Sequence, residues 1–262
     1  MTDSTLTETK PPIGLLFRSL FRADFTVLVR SVRTVAINLA VPLLVLIITG
    51  LHSGQGTGAA AGLTTTGYDI ALSITYGLMA SSLIGYSITV ARDRDAGIFQ
   101  RLRVTPAPTW AIMGSRLLVQ IVVDLVMTVI VLVVGSIIHH LAFTVTQYLL
   151  LACISLFGGI MFLAIGQAVV GLVRSATAVN AIGRVLYVVL ILLGLLGSSG
   201  LLGDTVKAVA DWTPVGAMIN LYIVTLNLAS WGWSDTNALI AIVIYTVVGA
   251  FIGIRWFRWD SR

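Results

Sequence analysis

The sequence predicts an all-α polytopic membrane protein, and three observations lead to this prediction. First, 57% of the 262 residues are hydrophobic and only 10% are charged, whereas soluble proteins carry about 25% charged residues. Second, the charged residues are grouped in short stretches between long apolar runs. Third, those runs reach the ~20 residues that an α-helix needs to cross a bilayer. Composition therefore excludes a soluble domain, a disordered chain, a disulfide-stapled module and a nucleic-acid binder.

Six apolar stretches are long enough to be transmembrane helices. They lie at about 34–51, 69–91, 112–138, 147–173, 181–202 and 237–256. A further apolar stretch within 205–229 is shorter and contains Asn220 and Asn227. We expect this stretch to be a re-entrant or interfacial outer segment after the fifth span. Residues 34–262 would then form a single transmembrane domain behind a flexible cytoplasmic tail at 1–12.

The distribution of basic residues predicts the topology. With six spans, Lys207 is the one member of the 16 lysines and arginines that falls on the outer side. A full crossing at 214–228 would move Arg255, Arg258 and Arg262 to that side as well. Cytoplasmic loops of membrane proteins are enriched in basic residues. The sequence therefore predicts a multi-pass protein of the cell (plasma or inner) membrane with both termini in the cytoplasm.

Residues 13–33 form an amphipathic pattern when they are projected on a helix. Four basic residues share one arc: Arg18, Arg22, Arg30 and Arg33. Leucine, phenylalanine and valine fill the opposite arc, with Asp24 as the one misfit. This pattern predicts an elbow helix that lies in the membrane surface. The helix either contacts a cytoplasmic partner or serves only as a lipid anchor.

Residues 91–106, which we call the charged loop, concentrate charge of both signs. Ile98, Phe99 and Leu102 place an apolar knob between arginines, and Pro106 disfavours helical geometry at the preceding Thr105. This pattern predicts a short helix that would dock into a groove of another protein. The alternative is a solvated loop that follows the positive-inside rule.

The run RDRDAGIFQRLRVTPAPTWAI, which starts at Arg92, resembles the charged loop of ATP-binding-cassette exporter permeases of the type-2, daunorubicin-resistance-like family. The order of parts around it is similar too: an elbow helix, six spans, a short LVRSATA loop after the fourth span and a broken apolar segment after the fifth. One departure lies in that fifth segment, where family members often carry prolines around a turn and only Pro214 is present here.

The resemblance implies that Arg92–Arg103 form a coupling helix in a cleft of a separate nucleotide-binding ATPase subunit. The residues that it assigns to coupling are Arg92, Asp93, Arg94, Asp95, Gly97, Ile98, Phe99, Arg101, Leu102, Arg103, Thr105 and Pro106. The chain would then be the transmembrane permease subunit of an ATP-driven exporter. Neither of its lysines, Lys10 and Lys207, stands in a phosphate-binding P-loop. We therefore expect no enzyme activity and no cofactor on this chain, with ATP and magnesium bound by the partner.

The expected cargo is hydrophobic or amphipathic, drug-like or lipid-like, and leaves the cytoplasm or the inner leaflet. The alternative is a polysaccharide or glycolipid exporter of the same family. Further expected partners are a second permease copy or a sister permease, and membrane lipid, but no nucleic acid. No metal site is expected, because His139 and His140 are adjacent and no third ligand is evident.

Asp124 is the one acidic residue well inside a predicted span. A carboxylate near the bilayer centre costs about 2.5–3.5 kcal/mol on insertion scales. Asp124 therefore either belongs to a translocation path or proton site, which would suit a proton-driven secondary transporter, or pairs with Arg116, Arg174 or Arg184. An intramembrane enzyme is disfavoured, because the nucleophile and base that it would need are missing.

Small residues recur on two spans at helical spacing. They are Ser73, Gly77, Ser81 and Gly85 on the second span, and Gly249 and Gly253 on the sixth. Small residues four apart let two helices approach closely. These residues predict either a permease dimer interface or close helix packing within one subunit.

Overall fold

The computed structural model describes residues 13–30, 32–53, 59–103, 108–198, 203–226 and 230–257. Within these ranges the regular structure is helical, and no strand occurs. The predicted all-α class is therefore confirmed. The predicted tail at 1–12 and three residues of the charged loop, Val104, Thr105 and Pro106, lie outside the described ranges.

Eleven α-helices and one π-helical segment make up the described part of the chain. They are α1 (Ile13–Arg30), α2 (Val32–Ser53), α3 (Ala59–Leu78), the π-helical segment (Met79–Tyr86), α4 (Ser87–Asp95), α5 (Ile98–Arg103), α6 (Thr109–Ile138), α7 (Val145–Leu172), α8 (Ala176–Ser198), α9 (Asp204–Asp211), α10 (Pro214–Leu226) and α11 (Trp233–Trp256). The amphipathic pattern at 13–33 is divided between two helices, so that Arg33 belongs to α2 and not to the elbow helix α1.

Five segments of the described chain are long and apolar enough to cross a membrane, and a bent helix pair raises the number to six. The five are Gly67–Asp95, Thr109–Ile138, Val145–Leu172, Ala176–Gly194 and Trp233–Trp256. The first predicted span falls in α2, whose apolar part is Leu39–Thr49. These crossings make the chain a multi-pass membrane protein.

The bent pair consists of α9 and α10, which meet at 85°. Thr213 makes the corner: its hydroxyl donates to the carbonyl of Ala210 at 2.6 Å and accepts from the amide of Gly216 at 3.1 Å. Pro214 then begins α10, a position where its missing N–H costs nothing. A Cβ atom at Gly216 would overlap the carbonyl of Ala210. The corner therefore requires glycine, and it turns the buried helix α10 in among α3, α7, α8 and α11.

One end of the bundle brings distant parts of the chain together, and we call it the loop end. It contains the turn after α4, the helix α5, the turn between α7 and α8, and Phe257 just after α11. A separate apolar cluster fills this end, with Tyr86, Val90, Phe99 and Val170 among its buried members. The loop end is therefore a packed structure and not a set of independent loops.

Both glycines of the sixth predicted span face α7. A Cβ atom at Gly249 would lie 2.8 Å from the carbonyl carbon of Ala164, and one at Gly253 would lie 2.7 Å from Cγ of Gln167. These distances are shorter than real Cβ contacts, so the two helices touch through their backbones. Gly249 and Gly253 therefore bring α11 close to α7 within one subunit.

The small residues of the second span also face neighbours within the chain. The Ser73 hydroxyl donates to the carbonyl of Pro42 in α2, and a Cβ atom at Gly77 would lie 2.8 Å from Cβ of Pro42. The Ser81 hydroxyl accepts from Nε2 of Gln120 in α6 at 2.7 Å. Gly85 is half-buried. At Ser73, Gly77 and Ser81, the stripe therefore packs α3 and the π-helical segment against α2 and α6.

We predict that Gly249→Val lowers the thermal stability of the protein. The added side chain would collide with the α7 backbone, and overpacking of this kind costs about 1–3 kcal/mol. The midpoint of thermal unfolding in detergent, followed by tryptophan fluorescence, should drop by several degrees. Val247→Leu is the matched control, because Val247 is exposed on the same helix. Equal midpoints for the two variants would contradict the close backbone contact between α7 and α11.

Candidate functional site

The charged loop is not one continuous helix. α4 ends at Asp95, and Gly97 follows with a φ of +70°. The amide of Gly97 donates to the carbonyl of Arg94 at 3.0 Å, which closes the helix end. A residue in the left-handed region cannot continue a helix. The expected coupling helix over 92–103 is therefore wrong in its extent: the second span runs on to Asp95, and a separate six-residue helix, α5, begins at Ile98.

Arg94 points into the protein and holds the C-terminal end of α7. Its side chain is only 2% exposed. Nη1 donates to the carbonyl of Val170 at 2.9 Å, and Nη2 donates to the carbonyls of Val173 and Arg174, both at 2.8 Å. The last carbonyls of a helix lack partners within the helix and carry partial negative charge. The guanidinium of Arg94 therefore gives charge-assisted hydrogen bonds to the buried carbonyl of Val170 and to the partly buried carbonyls of Val173 and Arg174.

Asp95 makes the corresponding contact with the start of α8. Its Oδ2 accepts from the backbone amide of Ala176, the first residue of that helix, at 2.9 Å. A carboxylate is favourable there, because the first amides of a helix are unpaired and carry partial positive charge. Arg94 and Asp95 together thus hold both sides of the short turn between α7 and α8.

Asp93 faces a third direction, toward α6. Its carboxylate forms an ion pair with the guanidinium of Arg116. Nε of Arg116 also lies 4.0 Å from Oδ1 of Asp24 in α1, and the Ser115 hydroxyl donates to Oδ2 of Asp24 at 2.6 Å. The acidic residue that did not fit the amphipathic pattern of the elbow helix is therefore its polar attachment to α6.

Phe99 is completely buried, which corrects the prediction that it belongs to an apolar knob that docks into a partner. Cζ of Arg116 lies 4.8 Å from the centroid of the Phe99 ring. The ring of Phe257 meets it edge-on, with centroids 6.0 Å apart. Ile98 and Leu102 are half-buried. The groove that receives Phe99 is formed by the chain itself, because a short amphipathic helix buries its apolar face against the nearest apolar surface.

The exposed side of the charged loop is polar. Arg92, Asp95, Gln100 and Arg101 are exposed there. Asp95 also accepts a hydrogen bond from α8, and we call the other three residues the loop-end surface. The side chain of Arg103, the last residue of α5, lies outside the described side chains. The site therefore has two sides: an inner side that is bound to α1, α6, α7 and α8, and an outer side that bears positive charge.

The elbow helix α1 contributes further exposed charge to the loop end. Its predicted basic residues Arg18, Arg22 and Arg30 are exposed, while the side chain of Arg33 lies outside the described side chains. α1 packs against α6, where the ring of Phe17 lies 3.5 Å from the place that a Cβ of Gly114 would occupy. α1 also exposes apolar side chains such as Val27, which suits a helix at a membrane surface.

Asp124 pairs with none of the three described arginines that the sequence offered, Arg116, Arg174 and Arg184, so that alternative is wrong. It is 1% exposed and accepts hydrogen bonds from the hydroxyl of Ser82 and from Nε2 of Gln120, the latter at 3.1 Å. Arg116 is engaged instead with Asp93 and Asp24. Asp124 and Gln120 thereby tie α6 to two consecutive serines, Ser81 and Ser82, of the π-helical segment.

The π-helical segment itself was not predicted from the sequence. Such segments are rare and often occur at functional sites. A Cβ atom at Gly166 of α7 would lie 3.1 Å from the carbonyl oxygen of Ser82. Two features therefore coincide with this irregular stretch. The α7 backbone approaches it closely, and neutral hydrogen-bond donors surround Asp124 beside it. The sequence holds two features that could have drawn attention to this segment: the consecutive serines Ser81 and Ser82 in the second span, and the acidic Asp124 in the third.

We predict that Asp124→Leu destabilises the protein while Asp124→Asn does not. Leucine would leave the Ser82 hydroxyl and the Gln120 amide without their acceptor, and each buried unsatisfied group costs about 1–3 kcal/mol. The thermal midpoint of the purified leucine variant should fall by several degrees. The asparagine variant should stay near the wild-type midpoint, because its side-chain amide can still form hydrogen bonds. An asparagine variant as unstable as the leucine variant would show that the charge of Asp124 is what matters.

Comparison with known proteins identifies the family. The sequence profile of the ABC-2 type transporter family matches residues 15–227, which run from α1 to the end of α10. The chain belongs to the ABC-2 type transporter family. It is also similar to the protein YvfS of Bacillus subtilis (strain 168), whose name proposes a transport permease. The two are 26% identical over 140 residues, which are 53% of this chain and 57% of YvfS.

Family membership confirms the resemblance drawn from the charged loop. The family description is that of a transporter, which agrees with the predicted transport role. The matched region contains the charged loop, the Asp93–Arg116–Asp24 network and the turn between α7 and α8. The whole candidate site except Phe257 thus lies within the part of the chain that defines the family.

Proposed function

We propose that this ABC-2 permease is the membrane subunit of an ATP-driven exporter, and that its ATPase subunit docks on the loop end. One observation carries the proposal: the charged loop exposes Arg92, Gln100 and Arg101, while Asp93, Arg94, Asp95 and Phe99 tie its other side to the bundle. A partner that presses on such a surface displaces the helices behind it.

The proposed mechanism is mechanical. Two ATPase subunits, each holding ATP and magnesium, approach one another and push on α5. The push reaches α6 through the contacts of Phe99 and Asp93 with Arg116. A second permease copy or a sister permease forms the other wall of the path. The loop end faces the cytoplasm in this arrangement, as do both termini, in keeping with the basic residues gathered there.

The proposed cargo is a hydrophobic or amphipathic molecule that enters from the inner leaflet. Apolar side chains cover the outward faces of α6, α8 and α11, and such faces suit contact with lipid. A glycolipid or polysaccharide is the second candidate, and Trp212, Trp231 and Trp233 are the observation in its favour. These tryptophans are exposed, Trp212 just after α9 and Trp231 and Trp233 at the start of α11, where their aromatic faces could stack on sugar rings.

Arg101→Ala should weaken the association with the ATPase about tenfold, which corresponds to ~1.4 kcal/mol. The side chain is exposed, so its loss removes a positive charge from the docking surface without opening the core. The amount of ATPase that co-purifies in mild detergent, quantified by mass spectrometry, measures the effect. Lys207→Ala is the matched control, because Lys207 is an exposed basic residue on α9, away from the loop end. Full retention of the ATPase by Arg101→Ala would contradict docking at this surface.

Reconstitution separates the exporter from a proton-driven transporter. We expect proteoliposomes with the permease and its co-purified ATPase to move ethidium or a fluorescent phosphatidylglycerol when ATP and magnesium are supplied. A permease that arrives without an ATPase, and that moves either probe under a proton gradient, would contradict the exporter. Asp124→Asn sharpens this comparison, since it should abolish proton-driven transport and leave ATP-driven transport intact.

A further inference from the structure

Two consecutive residues join the end of the second span to a turn about eighty positions further along the chain. The guanidinium of Arg94 spans three carbonyls at the end of α7, and the carboxylate of Asp95 accepts from the first amide of α8. The side chains of both residues therefore extend from the charged loop to the turn between α7 and α8.

The order of the two charges matches the polarity of the two helix ends. The last carbonyls of α7 attract a cation, and the first amides of α8 attract an anion. Arg94 and Asp95 stand in the order that places each charge at the right end. Since Arg94 is also buried, moving it away would strand its guanidinium and the three carbonyls without partners.

α8 already has a cap of its own. The hydroxyl of Ser175 accepts from the backbone amide of Ala178 at 3.1 Å, as a local N-terminal cap does. Asp95 is therefore an additional contact from a distant segment and not the cap on which the start of α8 depends. Its effect is to fix the position of α8 relative to the end of the second span.

α7 in turn carries α11. Gly249 and Gly253 place the α11 backbone directly against α7. A displacement that Arg94 passes to the end of α7 therefore reaches α11 as well. Arg94 and Asp95 are thus connected to α7 and α8 directly and to α11 through α7. These are three of the five described segments that can cross the membrane unbroken.

We propose that Arg94 and Asp95 are positioning residues that transmit the nucleotide-driven movement of the charged loop to α7 and α8. This inference rests on the proposed function and adds a route to it. The movement follows two branches: Arg116 leads to α6 and α1, and the Arg94–Asp95 pair leads to the turn between α7 and α8. A partner that pushes on α5 would then move most of the bundle and not only the second and third spans.

The single cysteine of the chain offers a readout that needs no cargo. Cys153 is exposed on α7, and it lies toward the end of that helix farther from Arg94. The purified permease is labelled at Cys153 with an environment-sensitive maleimide dye, combined with its unlabelled ATPase and placed in lipid nanodiscs. ATP, magnesium and vanadate then trap the closed ATPase pair. We expect the emission of the wild-type complex to change on trapping.

Asp95→Ala should reduce this emission change at least threefold when the change is normalised to the amount of ATPase bound. Ser175→Ala is the matched control, because it removes the local cap of α8 and leaves the link to Asp95 in place. The control should keep the wild-type response. Asp95→Asn should recover most of it, since its amide oxygen can still accept from Ala176.

Equal losses in Asp95→Ala and Ser175→Ala would overturn the inference, because both would then act only on the stability of α8. A wild-type response in Asp95→Ala would overturn it as well.

Should Asp95→Ala fail to reach the membrane, Arg94→Lys gives the same test, since an ammonium group cannot span three carbonyls and the emission change should fall by about half. A permease without an ATPase would overturn the proposed function and the inference together, whereas a responsive complex with an unaffected Asp95→Ala would overturn the inference alone.

Discussion

The ion pair between Asp93 and Arg116 is the interaction around which the loop end is built. Arg116 lies between the charged loop and the elbow helix, since its guanidinium faces Asp93 on one side and Asp24 on the other. It also covers the ring of Phe99. An exposed ion pair contributes little to stability, but this one is largely covered and shares its cation with two carboxylates and a ring. Three elements that are far apart in the sequence therefore keep one arrangement.

The interior follows a different rule. Asp124 is buried in the span region and is surrounded by neutral donors, Ser82 and Gln120, and not by a cation. Without water, every buried polar group needs a partner within the protein. Here the partners are side-chain hydroxyl and amide groups that lie between α6 and the π-helical segment. The ion pairs of Arg116 with Asp93 and Asp24 lie instead at the loop end, where partial exposure lowers the cost of keeping charge.

The sequence predicted the overall class well because hydropathy is a local property. Each span can be recognised from its own residues, and the family resemblance rested on one contiguous run and on the order of the segments around it. The same local reasoning failed within the charged loop. Phe99 between arginines looked like a knob for a partner, yet Phe257 and Arg116 cover it. Gly97 was part of the predicted helix, yet its positive φ ends the helix. The direction of a side chain depends on what lies opposite, and a single segment does not contain that information.

The sequence by itself determined that the chain is helical, that it crosses a membrane several times, and that its charge is gathered beside the spans, because the transfer free energy of each segment follows from its composition. The tertiary structure decided which neighbour each polar and small residue meets. It placed Gly249 and Gly253 against α7, gave Asp124 serine and glutamine in place of arginine, and directed Arg94 and Asp95 to the turn between α7 and α8. Those choices depend on packing between segments that are distant in the chain, where each helix end attracts the opposite charge.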